Sequence, residues 1–111
     1  MNGDDPAIKM IWAAIRPGVV DRRVRALVAG GFSAMTRFDV YGRGKQKGVE
    51  ISGENYDMPK TVLMLVVAED GLKAALEIIE GGARTGSIGD GRIFVVPVEE
   101  AYTIRTGERG L

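Results

Sequence analysis

The 111-residue chain contains neither cysteine nor histidine. Without cysteine there are no disulfides, no thiolate metal sites and no cysteine nucleophile. Without histidine the commonest general base and metal ligand at neutral pH is missing. Aromatics are scarce, at three Phe, three Tyr and one Trp, and no Lys/Arg-Gly-Phe/Tyr string opens a base-stacking motif, which argues against an RNA-binding sheet. Net charge is absent too: fifteen cations offset fifteen acids, so the chain as a whole is no electrostatic trap for nucleic acid. No apolar run approaches the ~20 residues of a membrane helix, and no signal-peptide pattern opens the chain. The expectation is a cytoplasmic protein without stable membrane insertion. No serine stands in a nucleophile elbow and no carboxylate pair is marked by spacing, so the expectation is a binding protein and not an enzyme.

Glycine is abundant, at sixteen residues, about twice the average share. Most of the excess sits in a few loops. In chain order, residues 1–7 (MNGDDPA) form a polar leader, with residues 1–8 expected to be flexible and 9–111 to form one domain. KMIWAAIR at 9–16 reads as a mostly buried strand stopped by Pro17. Val20, Val24, Leu27 and Val28 then recur at helical spacing up to Gly30 and Gly31, with Arg22, Arg23 and Arg25 on a solvated face. Strand character resumes over 32–40. TVLMLVV at 61–67 reads as a central strand covered on both faces. A second helix follows, Glu69 and Asp70 favouring its dipole and Leu72, Leu76, Ile79 and Ala83 lining one face. RIFVVPV at 92–98 is a strand whose Pro97 suggests an edge, and the tail 99–111 offers Tyr102 and Ile104 as anchors. Strand, helix, strand, long loop, strand, helix, strand is the order of an α+β, ferredoxin-like βαββαβ (split βαβ) sandwich. Helices suffice for one sheet face only. Apolar residues on the other, Met10, Trp12 and Ala14 against Ile11, Ala13 and Ile15, call for a partner copy.

Residues 41–60 (YGRGKQKGVEISGENYDMPK) lack a helical or strand period, and about twenty such residues is long where most connections run ~4–6. Gly42, Gly44 and Gly48 alternate with Arg43, Lys45 and Lys47, so backbone N–H groups can approach an anion while cations supply the charge. Two readings stand side by side: a phosphate-contacting hinge carrying a mobile arm over about 43–58, or a solvated hairpin tip. A second loop of this kind, 86–92, contains Asp90, which could orient its own loop as an Asx turn or bind a ribose hydroxyl. Neither loop has Walker or Rossmann spacing. Together with Arg105 in the tail they suggest a polyphosphate held by backbone donors and arginine forks.

Four segments, GRGKQKG at 42–48, PKTVLMLVV at 59–67, ARTGSIGDGRIFV at 83–95 and IRTGE at 104–108, resemble in order those of the PII family of nitrogen-signalling proteins. The resemblance implies a trimer with sheets facing inward, ATP or ADP bound in clefts between subunits, and 2-oxoglutarate beside a magnesium ion on ATP. It implies nucleotide contacts from Ala34, Met35 and Thr36, from Gly42, Arg43, Gly44, Lys45 and Gln46, from Gly89, Asp90, Gly91 and Arg92, and from Arg105. It also implies 2-oxoglutarate contacts from Gln46, Lys60 and Gly89, with Gln46 helping to hold Mg. Lys45 stands at a usual arginine, Arg92 at a frequent lysine and Thr103 where many members have a second phosphate arginine. The loop is shorter than in the common signalling members, and their modified tyrosine has no clear counterpart. YDMPKT and VEEAYTIRTGERGL are similar to the nitrogenase-associated branch, whose members pair unlike PII subunits to block nitrogenase. That implies a homotrimer, or a mixed assembly with a second PII-like subunit, docking on a nitrogenase component protein through Val49, Ile51, Tyr56 and Met58. The alternative is a conventional PII-type regulator of an ammonium channel or nitrogen-metabolism enzyme.

Overall fold

Alternation of burial along Ile8–Ile15 makes β1 a two-faced strand, with Ile11, Ala13 and Ile15 fully covered on one side. In the computed structural model the described residues are 7–42, 49–51, 54–56 and 58–111, with backbone alone at 49–51 and 54–56. Pro17 opens a short 3-10 turn, Pro17–Val19, that leads into helix α1, Val20–Ala29. Strand β2 is Met35–Gly42. It is followed by the short strands β3 (Val49–Ile51) and β4 (Glu54–Tyr56), by β5 (Met58–Ala68), by helix α2 (Glu69–Ala83) and by β6 (Gly91–Val98).

The four long strands run β2-β5-β1-β6 across the sheet and every neighbouring pair is antiparallel. With α1 and α2 packed on one face this is the ferredoxin-like α+β arrangement. The core lies between sheet and helices, where Ile11, Leu63, Leu65 and Val67 meet Val20 and Leu27 of α1 and Ala75, Ile79 and Ala83 of α2. Each large aliphatic side chain covered there contributes roughly 1.5–3 kcal/mol. TVLMLVV lies in an interior strand, as its unbroken apolar run predicts, and β6, which contains Pro97, is an edge strand. Pro59 lies inside β5 opposite Tyr41, but β1 pairs with β5 only from Thr61 onward. At Pro59 the strand has a neighbour on one side alone, so a residue without an N–H is tolerated.

The open sheet face is apolar. Trp12 and Phe38 meet edge to face with ring centroids 5.8 Å apart, and Phe38 and Phe94 remain partly exposed.

Several sequence expectations need correction. β2 continues through Gly42 and β5 begins at Met58, so both ends of the stretch read as structureless are ladder-paired, as far as Gly42 opposite Met58. Within it, β3 and β4 pair antiparallel, Val49 opposite Tyr56; alternation over three residues is too short a signal to find by period. β2 starts at Met35 and not at 32, because Phe32 instead packs beside the core. Val28 is half exposed, although Leu27 in the same turn of α1 is fully buried. Arg23 is not a solvated cation: its Nη1 donates to the Ile78 carbonyl of α2 at 2.7 Å. Among the described residues Ile104 is fully exposed and anchors nothing, and Tyr102 stays within the tail, its hydroxyl donating to Glu100 at 2.9 Å and its backbone bridging Arg109. Leader residues 1–6 lie outside the described residues; Ile8, also assigned to the leader, is buried in β1.

Candidate functional site

Where β1 ends, Pro17 holds Arg16 in extended backbone (φ −63°, ψ 137°), and the chain then turns away into α1. The Arg16 guanidinium is left facing the loop between α2 and β6. Its Nη2 donates to the Ile88 carbonyl at 2.9 Å, and its Nε lies 3.4 Å from the Asp90 carboxylate. From β5, Lys60 donates its ammonium to the next carbonyl, that of Gly89. Two cations, one just past the end of β1 and one within β5, therefore hold two successive carbonyls of one loop.

Asp90 organises the same loop from within. Its carboxylate accepts from the backbone N–H of Thr85 at 2.7 Å, the Thr85 hydroxyl at 2.5 Å and the Gly86 N–H at 2.9 Å. These bonds, the Thr85 hydroxyl foremost, hold its pKa well below the usual 3.8, at about 2. Of the two roles read for Asp90, loop orientation is the one its hydrogen bonds perform. The linkage follows directly. A carboxylate depressed in the folded protein contributes order above its unfolded pKa and loses that contribution as pH falls through the folded value. The amide resonances of Thr85 and Gly86 are expected to hold their positions from neutral pH to about 4 and to shift with a midpoint near 2. Asp90→Asn should remove that titration; amide shifts that move instead with an ordinary carboxylate midpoint would refute the assignment.

Lys60 is 8 % exposed. Burial lowers its pKa from 10.5, the charge of Arg16 adds to the lowering, and Asp90 opposes it. A desolvated ammonium held, among the described residues, by one carbonyl is suited to an arriving anion, which would restore the charge balance. Gly42 lies alongside: a side chain there would stand 3.7 Å from the Lys60 Cγ. Beyond the loop, an open cleft of about 310 Å³ is floored by Ile15, Ile79, Ala83 and Ile93 and rimmed by Arg84 and Asp90.

Of the residues selected from sequence, the fold therefore gathers Gly42, Lys60, Gly89, Asp90, Gly91 and Arg92 at one end of the sheet. Ala34, Met35 and Thr36 are not brought there. Met35 pairs with Leu65, five residues along β5 from Lys60, about 16 Å at the rise of a strand. Arg105 stands exposed on a tail turn closed by Thr103 N–H to Glu108 O at 2.9 Å and Gly110 N–H to Ala101 O at 2.8 Å. Among the described residues it makes no hydrogen bond or ion pair with the Lys60 cluster. Arg43, Gly44, Lys45 and Gln46 lie outside the described residues. Among the described residues no group of three or more acids could hold a metal ion. Sequence reading missed Arg16. Its only signal was a cation immediately before the proline that ends a strand.

A family model described as nitrogen regulatory protein P-II matches residues 8–108. The chain is 52% identical over 105 residues to the nitrogen fixation nifHD region glnB-like protein 1 of Methanococcus maripaludis, spanning 94% of this chain and all of that protein. It is 42% identical over 122 residues to the nifHD region GlnB-like protein 2 of Methanothermococcus thermolithotrophicus, covering 93% of this chain and 95% of that one. Among solved structures, that of Arabidopsis thaliana PII bound to citrate aligns with a TM-score of 0.78 at 34% identity, over 98% of this chain and 91% of that chain.

Proposed function

Because this chain belongs to the nitrogen regulatory protein P-II family, we propose that it reads nitrogen status by binding ATP or ADP together with 2-oxoglutarate and regulates nitrogenase by contact through the loop over about 43–58. One observation carries the reading: the buried Lys60 ammonium, at one foot of that loop, is held by the carbonyl of Gly89 in the glycine loop 84–91. A change of ligand at that point reaches both the phosphate loop and the arm. Nitrogenase is preferred to an ammonium channel as the target because similar proteins are named for the nifHD region.

Ala34, Met35 and Thr36 lie too far along the sheet to join Gly89 within one chain. A cleft completed by a neighbouring copy removes that difficulty, and the apolar open face with Trp12, Phe38 and Phe94 supplies the contact for a trimer. Relatives named both protein 1 and protein 2 make a mixed assembly with a second such subunit an equal prospect. The glycine loop and the cations Lys60, Arg92 and Arg105 fit a nucleotide polyphosphate. Magnesium would be held by its phosphate oxygens and Gln46 and would offset the charge of the dicarboxylate.

Calorimetry tests the reading. 2-Oxoglutarate should bind only with Mg-ATP present, and Lys60→Ala should weaken it about ten- to hundredfold, the loss of one charged hydrogen bond of roughly 1.5–3 kcal/mol. Because the Lys60 pKa is lowered in the free protein, dicarboxylate binding at alkaline pH should take up protons. Tight 2-oxoglutarate binding without nucleotide, or undiminished binding by Lys60→Ala, would sink the model.

A further inference from the structure

Helix α2 has no basic residue in its last turn, which contains two glycines, Gly81 and Gly82. Arg84, the residue that caps the helix, reaches the Glu80 carboxylate at 3.4 Å. A second cation comes to this end of α2 from another element, that of Arg23 in α1. Its guanidinium crosses α2 and donates Nη1 to the Ile78 carbonyl at 2.7 Å. It lies where a side chain at position 82 would stand, because a Cβ added to Gly82 would come within 1.7 Å of the Arg23 Cζ. Any residue but glycine at 82 would expel it. Among the described residues the Arg23 Nε is buried without a hydrogen-bond partner, so the contact carries a desolvation cost that a methionine of similar reach would not.

An arginine that gains little stability, received in a slot cut for it, points to a role in position. Loop 84–91 begins at this turn: Arg84 N–H bonds to the Glu80 carbonyl at 3.0 Å, and the next two N–H groups go to Asp90. We propose that Arg23 is a positioning residue for this loop, fixing the last turn of α2 so that Thr85 and Gly86 meet Asp90 and the Gly89 carbonyl meets Lys60. Its consequence for nucleotide affinity rests on the reading of 84–91 as a phosphate loop.

Hydrogen exchange of the Thr85 and Gly86 amides tests the positioning without any ligand. Arg23→Met should speed their exchange about tenfold while the melting midpoint stays within about 4 °C of the parent. Gly82→Ala should do the same by displacing the guanidinium. Gly81→Ala, with nothing within 4 Å of the added carbon, should leave exchange unchanged. Parent-like exchange in Arg23→Met and Gly82→Ala overturns the proposal, as does equal acceleration by Gly81→Ala. ATP calorimetry on the same proteins separates the two claims. A parent that fails to bind ATP refutes the phosphate reading alone; a parent that binds, with Arg23→Met binding equally, refutes the role of Arg23 in affinity.

Discussion

Replacing Gly91 with alanine is expected to destabilise the protein by several kcal/mol, enough to leave much of a domain of this size unfolded at modest urea. Two terms add. Gly91 has φ +114°, where a residue with a Cβ carries roughly 1–3 kcal/mol of strain. The added carbon would also stand 1.9 Å from the Ala14 carbonyl oxygen and 3.1 Å from the Ile15 Cα. Those atoms belong to the backbone of interior strand β1, which cannot give way as a flexible side chain would, and overpacking of that kind costs about 1–3 kcal/mol more. Against a total stability of roughly 5–15 kcal/mol the sum is large. Gly86→Ala is the matched control: its φ is +86° but nothing lies within 4 Å, so only the strain remains. Urea midpoints for the two variants decide the matter. Equal losses would mean that the close approach to β1 contributes nothing.

Deleting residues 51–55 is expected to abolish inhibition of nitrogenase while leaving ATP affinity within about twofold. The segment takes in the end of β3 and the start of β4, which pair antiparallel, so its loss removes that pairing together with Ile51. The Lys60–Gly89 contact and the Asp90 loop are built from β5 and residues 84–91 and do not depend on it. If 2-oxoglutarate grips the arm at Gln46 and Lys60, effector and partner oppose each other by a single coupling energy, typically ~1–3 kcal/mol. The deletion should therefore also erase any effect of partner on 2-oxoglutarate affinity. Undiminished inhibition would put the docking surface elsewhere; lost ATP binding would show that arm and site are one unit.

The elements that sequence reading recovered are those whose burial is written locally. TVLMLVV needs no distant residue to be read as an interior strand, and Leu72, Leu76, Ile79 and Ala83 mark the inner face of α2 by their spacing. What escaped depends on partners far along the chain. Lys60 was recognised by its motif, but its burial is made possible by a carbonyl 29 residues away. Arg22, Arg23 and Arg25 look alike in sequence; only the gap at Gly82 singles out Arg23. Arg16 carries no local mark of its 74-residue reach to Asp90. Val28 fits the helical period as well as Leu27 does, yet Leu27 is fully buried and Val28 half exposed. The glycine at 91, first read as clearance for a ligand, is required by the sheet itself.

The strand order has a consequence for synthesis. β1 is interior, bonded to β5 and β6, yet it leaves the ribosome before either. At roughly 5–20 residues per second, several seconds separate Ile15 from the last residue of β5. During that interval IKMIWAAI has both edges unpaired and no sheet to join. Contacts so distant along the chain slow folding. A nascent chain of this protein therefore exposes an apolar strand seconds before either of its neighbours exists to cover its edges.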